Sequence, residues 1–509
     1  NWALPDGFFA HVPRLTALSL DVTGSLSLPA RLLDSVPQLT ELRIDTGGDT
    51  TTSLPADFLT QAPHLKSLRL RIDNPEAFPA DFLAHAPHLE TLDLSVDSLT
   101  PLPPTFLHAL PRVVKLDLST GNLEALPAGF LAHVPRLQVL YLSDREYGPD
   151  WEYRQSPGLA SLPAGFLSHA PRLVELHLFV PRLETLPPGF LAHTPHLETL
   201  ELDYVRYGLY DLSKRVMPLA ALPEGFLSHA PRLRQLKLEL GLVTEFPEDF
   251  LAHAPQLRHL SLDANGVSAL PPGFLARHPG LETVRLLANG VADLPRGFLD
   301  RSPNLRSLLL DLQQVEALPE GFLTQATRLH EVELGVNRVA ALPADFLAHT
   351  PHLVHLDLRA LNLTALPANF LANAPRLRTL GLAMPLLEPT LTPDHRLWNT
   401  LQAASLRVKV THPDPVYFPI PEDFPSCNPS DLDVGDILEV WERTRDDHDR
   451  RLLRVALLTN RELTVLWGFD CPYLIDVRFT EPTLAVCAAD RKPDECVPAK
   501  YDYLLPFRG

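Results

Sequence analysis

The sequence is poor in the residues that mark enzymes, metalloproteins and membrane proteins. Its 509 residues hold four cysteines, and no pair of them has the C-x-x-C spacing of a zinc site. No glycine-rich phosphate loop, H-E-x-x-H or G-x-S-x-G motif occurs, so no catalytic residue, metal or cofactor is expected. Asp446, Asp447, His448 and Asp449 have the chemistry to hold a cation, but charged residues beside arginines read more simply as a solvated turn. No apolar run approaches the length of a membrane span. Cations are also in deficit: Lys and Arg total 44 against 62 Asp and Glu, a formal net charge of −18. That balance argues for solubility and against nucleic acid as a partner, unless a local basic patch overrides it.

Proline, by contrast, is abundant. The 52 prolines would suit a disordered chain if they were scattered, but most of them are periodic. A Leu-Pro or Phe-Pro pair recurs at 4, 28, 54, 78, 102, 126, 162, 186, 222, 246, 270, 294, 318, 342 and 366, in steps of 24 except one of 26 and two of 36. A second proline follows in nearly every interval. A fixed period of this size means stacked supersecondary units, each burying its apolar face against its neighbours.

The block Leu270–Asp293, LPPGFLARHPGLETVRLLANGVAD, shows what each position does. Alternation around Val284 and Leu286 is the period of a short strand with apolar residues inward, and stacking in register makes the strands parallel. Asn265, Asn289 and Asn337 fall in the turn after the strand, where a buried amide would bond the backbone of adjacent coils. The Leu-Pro pair then opens a segment such as PADFLAHAP. Pro suits the first helical position, Asp the first turn, and the second Pro a stop, so a short helix on the back of the coil is expected. One Phe per repeat, from Phe58 to Phe370, should stack into an apolar spine.

With L-x-x-V-x-L-x-x-N-x-V-x-x-L-P read from Leu281, the chain resembles the 24-residue typical class of leucine-rich repeat, found in Toll-like receptors, small proteoglycans and lamprey variable lymphocyte receptors. The resemblance covers about three quarters of the chain. It implies an α/β solenoid with a parallel concave sheet and short convex helices, and a non-enzymatic binding role toward proteins, lipids, glycans or nucleic acids. The asparagine ladder is incomplete, and the cysteine-rich caps of extracellular members are not recognisable.

Along the expected concave face most side chains, such as Arg69, Asp93, Lys237 and Glu239, are of mixed charge, as on any solvated sheet. Tyr141, His177 and Phe179 differ, because an aromatic side chain at a concave position is expected to lie exposed as a contact surface. The two 36-residue steps mark insertions near 144–155 and 204–215 that enlarge the same loop two repeats apart. They carry Arg145, Tyr147, Trp151, Tyr153, Tyr204, Arg206, Tyr207 and Tyr210. Tyr, Trp and Arg dominate binding hot spots because they bury much area at low entropic cost. Together with the three concave aromatics, these residues form the candidate ligand site; alternatively the loops pack on each other and cover the sheet edge. Eight histidines, including His11, His85, His133, His169, His193, His229, His253 and His349, share one register three residues after the spine Phe. Neutral imidazoles there are expected to cap backbone groups of the convex segment, which predicts lower stability below about pH 6.

Beyond 389 the repeat stops. Residues 390–509 hold all four cysteines and alternating stretches such as GDILEVWER and RLLRVALLT, which predicts a small β-rich domain capping the 1–389 array. Cys427, Cys471, Cys487 and Cys496 are disulfide candidates with three possible pairings, free thiols being the alternative. The sequon Asn362-Leu363-Thr364 and a start at Asn1 within a repeat, as after removal of a signal peptide or trimming, accord with a secreted or cell-surface protein. The expected function is recognition of a protein or glycan. Two other readings stay open: an effector whose repeats target an active carboxyl-terminal domain, and a surface protein that assembles with copies of itself. The oligomeric state is not legible.

Overall fold

A computed structural model of the chain describes Trp2–Ala3 and residues 7–383 apart from 24–25, 29–30, 53, 76–78, 80, 97–101, 104, 122, 146–157, 204–216, 368–369 and 372. It further describes five strands between Arg407 and Val477. Contacts group the chain into two units, Asn1–Val267 and Ser268–Gly509. The division falls inside the repeats, since a coil touches only its neighbours. The expected boundary at 389/390 lies outside the described residues.

Each unit is a parallel ladder with one strand per repeat. In the first, neighbouring strands run from Ala17–Thr23 through Val139–Arg145, Glu175–Phe179, Thr199–Asp203 and Gln235–Glu239 to His259–Asp263. Leu140 faces Leu176, Leu176 faces Leu200, and Leu200 faces Leu236. Two of those three steps are 36 residues and one is 24, so both insertions leave the ladder in register. In the second unit, strands from Thr283–Leu287 to Thr379–Ala383 pair in the same way, and Arg407–Thr411 extends the ladder beside Thr379–Ala383. Ile437–Arg443 and Arg450–Ala456 form an antiparallel pair.

The repeated apolar positions hold these ladders together. Leu176, Leu178, Leu200 and Leu202 are fully buried, while most side chains between them stay partly open. Behind the strands the spine phenylalanines stack face to face, with centroids 6.3 Å apart for Phe190–Phe226 and 6.4 Å for Phe274–Phe298. That spacing exceeds the 4.7–4.9 Å between strands, so within each unit the backs of the coils fan out and the strands line the inner side. Burying one such ring contributes about 1.5–3 kcal/mol per coil.

Three expectations about the turns are corrected. The convex segments are mostly turns; 3-10 helices occur at Phe58–Gln61 and Phe82–His85. In both, Asp stands before the spine Phe with negative φ, −94° at Asp57. Where Gly stands there instead, as at Gly189, φ is +64°, a conformation that glycine adopts without steric cost. Second, the asparagines do not form a buried ladder. Asn265 is exposed and donates to Asp263 Oδ1 at 2.6 Å, while the preceding residues Ala264, Ala288 and Val336 fill the core. Third, all eight histidines of the expected capping row are exposed. Side chains standing in water on a turn contribute little to stability.

Candidate binding face

The strand register assembles the site in the first unit. Tyr141 lies opposite His177, His177 opposite Glu201, and Glu201 opposite Lys237. On a parallel sheet these four side chains form one row, rising on the solvent side of coils whose other side is leucine. The Tyr141 and His177 rings stack at 4.1 Å with 5° between planes, and Lys115 Nζ sits 5.4 Å from the Tyr141 centroid. The Glu201 carboxylate takes His177 Nδ1 at 2.7 Å on one oxygen and Lys237 Nζ at 2.8 Å on the other. Lys237 also donates to Asp203 Oδ2 at 2.5 Å.

Electrostatics bind this row together. Burial alone would raise the Glu201 carboxyl, but hydrogen bonds from His177 and Lys237 outweigh it and hold Glu201 below the usual range. Burial likewise works against the Lys237 ammonium, and the bonds to Asp203 and Glu201 reverse that, so its charge is retained. Two residues beyond Lys237 on the same strand, Glu239 is pushed up to about 8, first by burial, then by the Asp203 charge and a hydrogen bond to Asp203. Near neutral pH it is therefore largely protonated, and its proton lets it sit beside Asp203, which is itself 3% exposed.

Two of the predicted aromatics are not exposed. His177 is 8% and Phe179 4% accessible, whereas Tyr141 is half-buried. The alternation correctly puts them on the strand face opposite the leucine core. There, however, side chains on strands under 5 Å apart cover one another: Tyr141 lies over one face of His177, and Phe179 stacks toward it at 6.4 Å. The aromatic group is a packed plug with one open edge at Tyr141.

The first insertion is anchored at its base by Asp144, 5% exposed at the end of the strand Val139–Arg145. Its two oxygens accept the backbone N–H groups of Leu123 at 3.2 Å and Leu159 at 3.1 Å. Beside it a Cβ on Gly158 would meet Asp144 Oδ2 at 2.8 Å and Arg182 Cδ at 2.6 Å, so the return of the insertion needs glycine. The second insertion leaves from Asp203, at the foot of the ionic row. Arg145 ends its strand, opposite Gly121. Tyr147, Trp151, Tyr153, Tyr204, Arg206, Tyr207 and Tyr210 lie outside the described residues, as do Cys427, Cys471, Cys487 and Cys496.

Glu201, Lys237 and Asp144 are the residues that sequence reasoning undervalued, the first two as members of a solvated sheet. Their signal lies in the register: only after allowing for a 36-residue step does Lys237 fall opposite Glu201. In the second unit, Glu331, Glu333 and His355 bring one donor atom each within 4.8 Å of one another. Glu331 there is exposed and already accepts Ser307 Oγ at 3.0 Å, which is how a partnered surface carboxylate behaves. Among the described residues no helix is long and apolar enough to cross a membrane.

No protein-family profile matches the sequence, and no curated protein matches it. Solved structures do match in shape. A chain of the Drosophila Toll–Spatzle complex superposes with a TM-score of 0.50 at 19% identity, over 81% of this chain and 54% of that one. A leucine-rich repeat protein of Leptospira interrogans (TM-score 0.49, 21% identity, 75% and 86% covered) and an internalin of Listeria monocytogenes (0.49, 15%, 68% and 87%) are also similar. The chain thus has the leucine-rich-repeat fold, a parallel β-solenoid with turns of about 24 residues. At these identities the likeness concerns the fold and nothing finer.

Proposed function

We propose that this chain is a non-enzymatic recognition protein that binds a protein or glycan through the inner face of its first unit and the two aromatic-rich insertions. The observation that carries the reading is the row Tyr141–His177–Glu201–Lys237. A solvated sheet has no need to stack two rings and tie a carboxylate between an imidazole and an ammonium. Such a row is held in place before any partner arrives, so binding costs little side-chain entropy. Both insertions leave from strands of this row, which end at Arg145 and Asp203. The similar Toll–Spatzle structure is of a protein complex, which accords with a protein as the partner. A recognition role of this kind suits a secreted or cell-surface protein. Residues 390–509 serve as the cap, a role supported by Arg407–Thr411 adding to the ladder after Thr379–Ala383.

The test is a glycan-array and cell-surface binding screen of the full chain beside two variants. One changes Tyr147, Trp151, Tyr207 and Tyr210 to Ser; the other is Tyr141→Ser. Ligand binding lost in both, with unchanged circular dichroism, supports the site. Binding retained by both moves recognition away from this face, and binding by neither the parent nor the variants removes the reading.

A further inference from the structure

Four turn segments on the convex side of the first unit, residues 102–113, 126–137, 162–173 and 186–197, contain no Asp or Glu. The strands that follow them pair one to the next, so they are consecutive rungs despite the insertion between the second and third. Arg112, Arg136, Arg172 and His196 occupy one register, six residues after the spine Phe. His133, His169 and His193 occupy another, three residues after it, and His108 stands beside the first. All eight side chains are exposed, and none makes an ion pair among the described residues. The His108 and His133 rings meet edge to face at 4.0 Å, so successive rungs bring these side chains together on one surface. The same turn elsewhere does carry acids, Asp57, Asp81, Glu224 and Asp249 among them.

At the spine spacing of 6.3 Å seen between Phe190 and Phe226, three steps give a strip about 19 Å long. That exceeds a Debye length of about 8 Å at physiological salt, so local charge decides what approaches it, not the net −18 of the chain. Two flanking acids already face cations, Glu198 bonding Arg234 at 2.8 Å and Glu90 lying 3.8 Å from Lys66, while Glu175 lies 3.7 Å from His177 on the strand side. Glu124 and Glu184 stay exposed on the adjoining turns.

We propose that this strip is a second binding site, independent of the inner face, for a linear sulfated glycan. Cations set singly on successive rungs match a polymer that carries its anions along the chain. A nucleic acid fits less well: bases need aromatic platforms, and the spine residues Phe106, Phe130, Phe166 and Phe190 are only 3–5% exposed. An anionic bilayer fits less well too, since stable attachment uses apolar side chains or a denser basic cluster, and the exposed large hydrophobics, Phe8, Val12 and Leu242, lie elsewhere.

The experiment titrates the full chain with heparin at pH 7.5 over a range of salt, beside Arg112→Ser/Arg136→Ser/Arg172→Ser and Tyr141→Ser. With three arginines engaged, affinity at pH 7.5 should fall roughly four-fold for each doubling of salt. The triple variant should lose binding at pH 7.5 with an unchanged melting temperature, and Tyr141→Ser should keep it. Heparin binding that is absent, undiminished in the triple variant or lost in Tyr141→Ser would overturn the proposal. So would tighter binding of a thymidine oligonucleotide or of phosphatidylserine vesicles than of heparin.

Discussion

The two sides of the same coils in the first unit handle charge in opposite ways. On the strand side Glu201 and Lys237 are each bonded twice, Asp203 is buried against that lysine, and Glu239 keeps a proton near neutral pH. On the turn side, from 102 to 197, arginines and histidines stand exposed with no acid in their own segments. Strand spacing explains the contrast. Where coils come within 5 Å, side chains must pack, pair or give up charge; where they fan out to more than 6 Å, each remains in water and open to an external partner.

What joins the two sides is the spine, and breaking it should have the largest effect. Phe190→Ala removes a ring that is 5% exposed and stacked on Phe226. A loss of about 3–5 kcal/mol is expected in urea unfolding, with binding at both sides weakened together. A loss under about 1 kcal/mol would mean that the coils are not coupled through the spine.

On the strand side alone, Lys237→Met leaves Glu201 and Asp203 without their shared cation. Because the lysine side chain is 31% exposed, water replaces part of what is lost, and about 1–3 kcal/mol is expected. An unchanged urea midpoint would show that the row is solvated after all.

Glu239 sharpens the comparison through pH. The folded chain holds its proton up to about 8, well above the ordinary glutamate value of 4.5. The unfolded chain releases it at the ordinary value, so this contribution is whole below about pH 4.5 and is lost as pH rises through 8. The melting temperature should therefore decline between pH 5 and 8, less so in Glu239→Gln. Parallel profiles for the two proteins would remove Glu239 from that account.

The smallest effect is expected on the turn side. Replacing Arg112, Arg136 and Arg172 together by Ser should change stability by no more than about 0.5 kcal/mol, because none of them is paired among the described residues. A larger change in thermal denaturation would show that these arginines serve the fold, not a ligand.

Periodicity made much of this legible in advance. Leu-Pro pairs every 24 residues, inward residues such as Val284 and Leu286, and one Phe per repeat are local patterns that recur, and a recurring pattern states its own stacking. What failed had a common cause. His177 and Phe179 were placed on the correct side of the strand, but their exposure depended on Tyr141 and Glu201, residues brought alongside only by the ladder. The histidine row suited buried caps by residue type, yet the turn points it into water. The asparagines suited a buried ladder, yet Ala264, Ala288 and Val336 take the core positions beside them.

The sequence by itself therefore determined the repeat, the parallel ladder and the spine, because each follows from apolar spacing within a single coil. Only the tertiary structure decided which surface residues are partnered. Lys237 meets Glu201 across 36 residues, Asp144 reaches the return of an insertion at Leu159, and Arg136 meets no acid among the described residues. Such pairings depend on how one coil is laid against the next, and neighbours along the chain do not specify them.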